Sequence, residues 1–150
     1  MLAALSRLAV VALSLGACAP GPTERWDTTT REGVAVGGYD AVAYFADQAA
    51  VEGDPALTLE WEGVTWWFGS EDNRDAFERE PERYAPSYGG WCAWSMRWNQ
   101  VIDSNPEQWR VDGQRLYLFN NADARDSWGR NPERFRRIAD DNWAAIEQLP

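Results

Sequence analysis

Arg74-Asp75-Ala76-Phe77-Glu78-Arg79-Glu80-Pro81-Glu82-Arg83-Tyr84 returns fifty-one residues later as Arg125-Asp126-Ser127-Trp128-Gly129-Arg130-Asn131-Pro132-Glu133-Arg134-Phe135. The match runs upstream: Trp66 and Phe68 align with Tyr117 and Phe119, and the turn pair Glu62-Gly63 with Asp112-Gly113 after a one-residue shift. Each copy reads as strand, tight turn, strand and helix. The strands are expected over 57–61 and 65–68 in the first copy and 109–111 and 115–119 in the second, because Asp-Gly between alternating apolar residues marks a hairpin. Ser70 can cap the first helix and Asn120 or Asn121 the second, each side-chain oxygen accepting from a free backbone N–H. Pro81 and Pro132 end one helix and suit the first turn of the next. Beyond Pro132, Phe135, Ala139, Trp143 and Ile146 make one apolar helical face, and Arg136/Asp140 and Arg137/Asp141 stand at i,i+4 spacing. The fold class expected is α+β: two repeated antiparallel β-hairpin-plus-helix units around a shared aromatic core.

Composition removes much chemistry. The 150 residues hold 24 acidic and 14 basic side chains, a net charge of -10. Every basic residue is arginine, and both histidine and lysine are missing. Imidazole-based triads, imidazole metal ligands and lysine Schiff bases are therefore excluded. The acidic balance argues against nucleic acid as a partner. Ten tryptophans stand against two cysteines, so aromatic rings must supply much of the core.

Met1 to Ala17 carries one arginine, Arg7, then an apolar stretch from Leu8 to Leu15, which has the form of a secretory signal and is too short for a mature membrane span. Leu15-Gly16-Ala17-Cys18 resembles a bacterial lipobox. That resemblance implies cleavage before Cys18 and acylation of its sulfur and amino group, palmitate included. The expected organisation is a lipoprotein signal peptide over 1–17, a lipidated Cys18 with a flexible tether over 18–33, and a domain over 34–150. Fifteen tether residues at roughly 3 Å each reach about 45 Å. The expected location is the cell envelope, lipid-anchored and facing the periplasm or exterior, in either the inner or the outer membrane. Ala19 does not resemble the aspartate-based inner-membrane retention signal.

Trp66-Trp67-Phe68-Gly69-Ser70-Glu71-Asp72-Asn73-Arg74-Asp75-Ala76-Phe77, followed by Pro81 and Tyr84, resembles the core of the YHS domain. With Gly38-Tyr39-Asp40-Ala41-Val42-Ala43-Tyr44-Phe45 before it and Tyr88-Gly89-Gly90-Trp91-Cys92-Ala93-Trp94 after it, the chain is similar to the exported bacterial YHS domain-containing (seleno)proteins. The resemblance spans about 34–143. Metal-associated members of the family carry cysteines at the positions of Gly69 and Asn73, so it does not imply a thiolate metal site there in this chain. Some members of the exported subgroup carry selenocysteine at the position of Cys92, which implies thiol or selenol chemistry at that residue.

With Cys18 acylated, Cys92 is the one free thiol. Two readings stand side by side. Gly89-Gly90 can turn the chain into a helix whose N-terminus stabilises a thiolate. Equally, Trp91, Trp94 and Trp98 follow a buried helical stripe, and free cysteine is commonly an inert core residue. Asp40 is a turn or cap residue that could orient Cys92 if its loop folds over the thiol. Arg74 and Arg125 are expected to pair with local carboxylates. No calcium-loop spacing is present.

The leading expectation is a binding module for a small ligand or metal ion, centred on Cys92 and lined by Tyr39, Asp40, Tyr88, Gly89, Gly90, Trp91 and Trp94, with Cys92 as the candidate metal ligand. One alternative is a thiol-based oxidoreductase with Cys92 as its catalytic residue and an external thiol partner. Another is a glycan- or protein-binding surface of exposed tryptophans, with Trp26, Trp67 and Trp98 as candidates. The partners expected are the membrane through the N-terminal lipid, and an unknown small ligand or envelope protein.

Overall fold

The computed structural model describes residues 25–147. The expected signal sequence, Cys18 and the first part of the tether lie outside them. The elements are α1 (Ala43–Ala46), β1 (Asp54–Trp61), β2 (Val64–Phe68), α2 (Glu71–Arg79), α3 (Pro81–Tyr84), α4 (Ala93–Met96), β3 (Asn105–Asp112), β4 (Arg115–Phe119), α5 (Ala122–Trp128) and α6 (Pro132–Glu147), with tight loops at Ala35–Gly38 and Ser87–Gly90. The architecture is α+β, with two antiparallel two-strand hairpins each followed by helices.

The duplication is deeper than the helix repeat. Trp61↔Val64 closes the first hairpin and Asp112↔Arg115 the second, at the same offset of fifty-one. The second turn is therefore Gly113-Gln114, and the one-residue shift expected from Asp112-Gly113 is absent. Glu62 and Gly63 both have positive φ, whereas in the second turn only Gly113 does. These are the patterns of type I′ and type II′ turns. Both hairpins also carry the same irregularity near their start, between Asp54 and Thr58 and between Asn105 and Trp109. The cause is local: Asp54 accepts from Ala56 N–H and Asn105 from Glu107 N–H across a proline, at 2.8 and 2.9 Å. Such Asx turns draw the backbone out of the ladder.

Helix starts follow the expected chemistry. Ser70 Oγ accepts from Asn73 N–H at 3.2 Å, and Asn121 Oδ1 from Ala124 N–H at 2.9 Å. Pro81 and Pro132 open α3 and α6. Arg74 and Arg125 pair with Asp75 and Asp126, each at 3.0 Å. The i,i+4 expectation on α6 fails. Asp140 is instead held by both Nη atoms of Arg115, at 2.9 and 3.0 Å, and accepts from the Tyr88 hydroxyl at 2.8 Å. Among the described residues Arg137 forms no ion pair with Asp141.

The core divides in two, and β4 is the partition. Alternation along a strand sends Leu116 and Leu118 into one cluster with Trp66, Phe68, Phe77 and Tyr44, and Tyr117 and Phe119 into the other with Trp128, Cys92, Met96 and Ala139. Trp66 and Phe77 lie 4.7 Å apart between centroids in the first, and Tyr117 and Trp128 lie 5.0 Å apart in the second. The same strand and helix positions thus fill equivalent places in each half.

Two residues of the segment expected as tether are packed, Trp26 and Asp27, while 29–33 are exposed. Trp26 is 5% exposed and meets Trp61 and Trp66 at 5.4 and 5.1 Å. Asp27 is buried too; its Oδ2 accepts from Ser104 N–H and hydroxyl at 2.8 and 3.2 Å, while its own N–H donates to Gly89 O at 2.7 Å. A lone tryptophan without periodic neighbours gives no packing signal, which is why the sequence reads as a linker there. Residues 25–27 form a strap that inserts in the first half and ties to the second.

Burial also sets an alkaline limit. Tyr44 is enclosed and donates to Pro106 O at 2.9 Å. Its pKa stands well above the ordinary 10.0, through burial first and then neighbouring Tyr39, Asp40 and Glu107. Tyr88 is raised as well, by burial first and then by its bond to Asp140 and that residue's charge. The folded chain keeps both protons where the unfolded chain loses them. Their stabilisation is complete below pH ~10 and declines above it. The melting temperature is expected to fall as pH passes about 10, less steeply in Tyr44→Phe and Tyr88→Phe variants; calorimetry across an alkaline series measures it.

Candidate functional site

The two tight loops are counterparts. Val36, Gly37 and Gly38 have φ of 54, 60 and 88°, and Tyr88, Gly89 and Gly90 have 59, 63 and 85°. Gly37-Gly38-Tyr39-Asp40-Ala41 therefore superposes in role on Gly89-Gly90-Trp91-Cys92-Ala93, and Cys92 occupies the place that Asp40 holds in the first half. Asp40 N–H donates to Val51 O at 2.8 Å, and Cys92 N–H to Ile102 O at 2.9 Å. Each residue precedes a single helical turn.

Asp40 is fully buried. Its Oδ1 accepts from Val42 and Ala43 N–H at 2.9 and 3.3 Å, and its Oδ2 from Gly69 N–H and Asn73 Nδ2 at 2.8 and 2.7 Å. Those four donors take up the carboxylate's acceptor sites. Cys92 is not among these partners, and the bonds from Val42 and Ala43 are those of the turn or cap residue expected here. Gly69 and Asn73, the positions where the resemblance expects the metal-site cysteines of other members, converge on this carboxylate. In the second half the residue equivalent to Asn73 is Ala124, which shares the apolar cluster of Cys92. A carboxylate with an amide partner in one half is thus replaced by a thiol with a methyl group in the other.

Cys92 is 1% exposed among apolar neighbours. The helix it precedes is one turn long and ends at Met96. Trp91, Trp94 and Trp98 accordingly do not make one buried stripe: Trp91 is buried, Trp94 half-buried and Trp98 exposed. Among the described residues no group of three or more Cys, Asp or Glu is placed to hold a metal ion. Cys92→Ala removes little more than a sulfur atom from this packing and is expected to cost about 1 kcal/mol. The folded protein is expected to resist thiol alkylation until it is unfolded with urea, which a maleimide time course with and without denaturant measures.

The eight expected site residues come together in neither of two clefts formed by described residues. Tyr39 is half-exposed, its hydroxyl donating to Glu107 at 3.4 Å, and it belongs with Asp40 to the first half. Gly90, Trp91 and Cys92 are buried in the second. Tyr88 and Gly89, however, line a cleft of about 290 Å³ to which both halves contribute. Trp26, Trp61, Tyr88 and Trp143 form its aromatic surfaces, Ser87, Gln114 and Arg115 one polar side, and Glu82, Glu147 and Arg83, which pairs with Glu80 at 3.6 Å, add charge. Arg115 Nε donates to Ser87 Oγ at 3.0 Å while its Nη atoms grip Asp140, so the polar side is fixed in place. Arg25, on the rim, pairs with Glu62 and Glu147 at 3.0 and 3.7 Å. The Trp26 indole N–H, buried between this cleft and a second of about 400 Å³, has no hydrogen-bond partner among the described residues. The second cleft is lined largely by exposed turn residues such as Glu32, Gly33, Glu62 and Gly63.

Sequence reasoning gathered candidates around the thiol and missed Trp61, Gln114, Arg115 and Trp143. Only Arg115 carried a signal: it stands where the first repeat has Val64, a charge replacing an apolar residue at an equivalent strand position. The chemistry available is recognition by stacking and hydrogen bonding, with each wall guanidinium already neutralised by a carboxylate. Comparison with protein-family models, curated proteins and solved structures finds no significant match. What fold and site define is a duplicated α+β domain with a charge-balanced aromatic cleft between its halves.

Proposed function

We propose that the chain is a lipid-anchored binding module of the cell envelope, and that its small ligand occupies the cleft beside Tyr88 rather than a site at Cys92. The observation that carries this is the convergence of Trp61, Tyr88, Trp143, Ser87, Gln114 and Arg115 on one concave surface held by the Arg115–Asp140 pair. Rings for stacking beside polar groups held in fixed positions are what lets a concave surface bind and orient a small polar ligand. The lipobox-like Leu15-Gly16-Ala17-Cys18 supports the anchor, and the likeness to exported YHS proteins supports the envelope location. Burial of Cys92 favours this reading over a redox thiol, and the lack of two neighbouring exposed tryptophans favours it over a flat aromatic platform.

Native mass spectrometry of protein purified from the envelope tests the proposal. A bound small molecule should survive in Cys92→Ala and be lost in Gln114→Trp, which places an indole at the cleft mouth from an exposed turn. A bare lipidated chain in every sample, or an adduct lost only with Cys92, overturns it.

A further inference from the structure

The Arg97 guanidinium sits 3.4 Å from the Trp94 ring centroid, 4.1 Å from that of Trp98 and 4.4 Å from that of Phe135. Its Nε donates to Trp94 O at 3.2 Å, and its Nη atoms have no hydrogen-bond partner among the described residues. Burial against the rings, and then the charge of Arg134, pull its pKa below the usual arginine value. Among the described residues neither arginine has a carboxylate within ion-pair distance, although Asp103 and Glu133 are near in sequence. In a chain of net charge -10 this is a local surface of uncompensated positive charge. A guanidinium stacked on rings keeps its edge donors free for oxyanions and spends little freedom in binding them.

Beside it lie the exposed large apolar residues of the described chain, Trp98 at 56% and Ile102 at 39%. The described chain starts elsewhere, with Arg25 paired to Glu62 and to Glu147 at the far end of α6, and reaches this region two residues later. Asp27 is clasped by Ser104, two residues beyond Ile102, which ties the strap to this loop. Seven residue steps separate Cys18 from Arg25, a reach of at most about 25 Å. An anchored domain on so short a lead stays near the bilayer, close enough for a second part of its surface to touch it.

We infer that the Trp98–Ile102 loop is a second bilayer contact: Trp98 and Ile102 enter the headgroup–acyl boundary while Arg97 and Arg134 take lipid phosphate oxygens. Tryptophan and isoleucine beside arginine suit that boundary, where an apolar body and a charged edge are both satisfied. The inference rests on the lipid-anchored reading.

The test reconstitutes the full acylated chain into phosphatidylcholine–phosphatidylglycerol vesicles with brominated acyl chains and reads tryptophan emission. The Trp98 signal is the difference between the wild type and Trp98→Phe, a change at an exposed position. Bromine quenching of that signal, with loss of its acrylamide access, is the expected result. Arg97→Gln and, independently, Arg134→Gln should each lower the docked-to-undocked ratio about fivefold, the effect of one basic residue at an anionic surface. Arg134→Gln leaves the ring stack intact and so guards against misfolding of the other variant. A chain that does not float with the vesicles overturns the anchor and this contact together. A chain that floats while Trp98 stays open to acrylamide overturns the contact alone. Equal shielding of Trp98 by millimolar inorganic phosphate in detergent, without vesicles, assigns the arginines to free phosphate and overturns the bilayer contact.

Discussion

Gly89→Ala is expected to lose about 4 kcal/mol or more of stability, enough to leave much of the protein unfolded. A methyl group built at Gly89 would lie 1.6 Å from the Arg25 carbonyl oxygen, which is backbone and cannot swing aside. The residue also has φ of +63°, which costs an L side chain about 1–2 kcal/mol by itself. Relief would require the strap to move and the Asp27 N–H bond to Gly89 O to break. Gly113→Ala is the control: φ there is +68°, yet nothing lies within 4 Å of the added carbon. That variant should lose only about 1 kcal/mol. Urea unfolding of both reads the difference, and equal losses would show that the strap does not hold Gly89 closely.

Asp40→Ala is expected to cost about 3–5 kcal/mol, because it strands four donors around a fully buried site. Asn73→Ala alone removes one donor and leaves the carboxylate three, at an expected cost of about 1–2 kcal/mol. The second half suggests the compensated form. Asp40→Cys combined with Asn73→Ala installs the Cys92 and Ala124 pairing in the first half, and should be milder than the sum of its single changes. Strict additivity in that cycle, or an Asp40→Ala loss below about 1 kcal/mol, would remove the case that the carboxylate organises this corner.

The helix repeat was plain in the sequence because its signals are local and doubled: capping residues, prolines and aromatic positions at one offset. The α+β class and both hairpins followed from it. The loop equivalence was also present, as Gly37-Gly38-Tyr39-Asp40-Ala41 against Gly89-Gly90-Trp91-Cys92-Ala93 at an offset of fifty-two. One inserted residue and unlike side chains hid it, since the shared property is left-handed backbone rather than chemistry. The strap was hidden for a different reason: Trp26 and Asp27 are placed by partners far along the chain, and no local periodicity announces such contacts. The cleft was illegible for the same reason. Its walls come from five separate segments, and Asp140 looked like an i,i+4 partner until Arg115 proved to hold it.

The strap has a consequence for the order in which the molecule is completed. Trp26 finds its rings as soon as the first hairpin exists, but the Asp27 carboxylate meets Ser104 across seventy-seven residues of chain. In a polypeptide delivered from its N-terminus, that clasp closes only after the start of β3 has emerged. Until then the first half holds its own aromatic cluster while Asp27 waits without that partner. A locked strap thus reports that the second half has arrived.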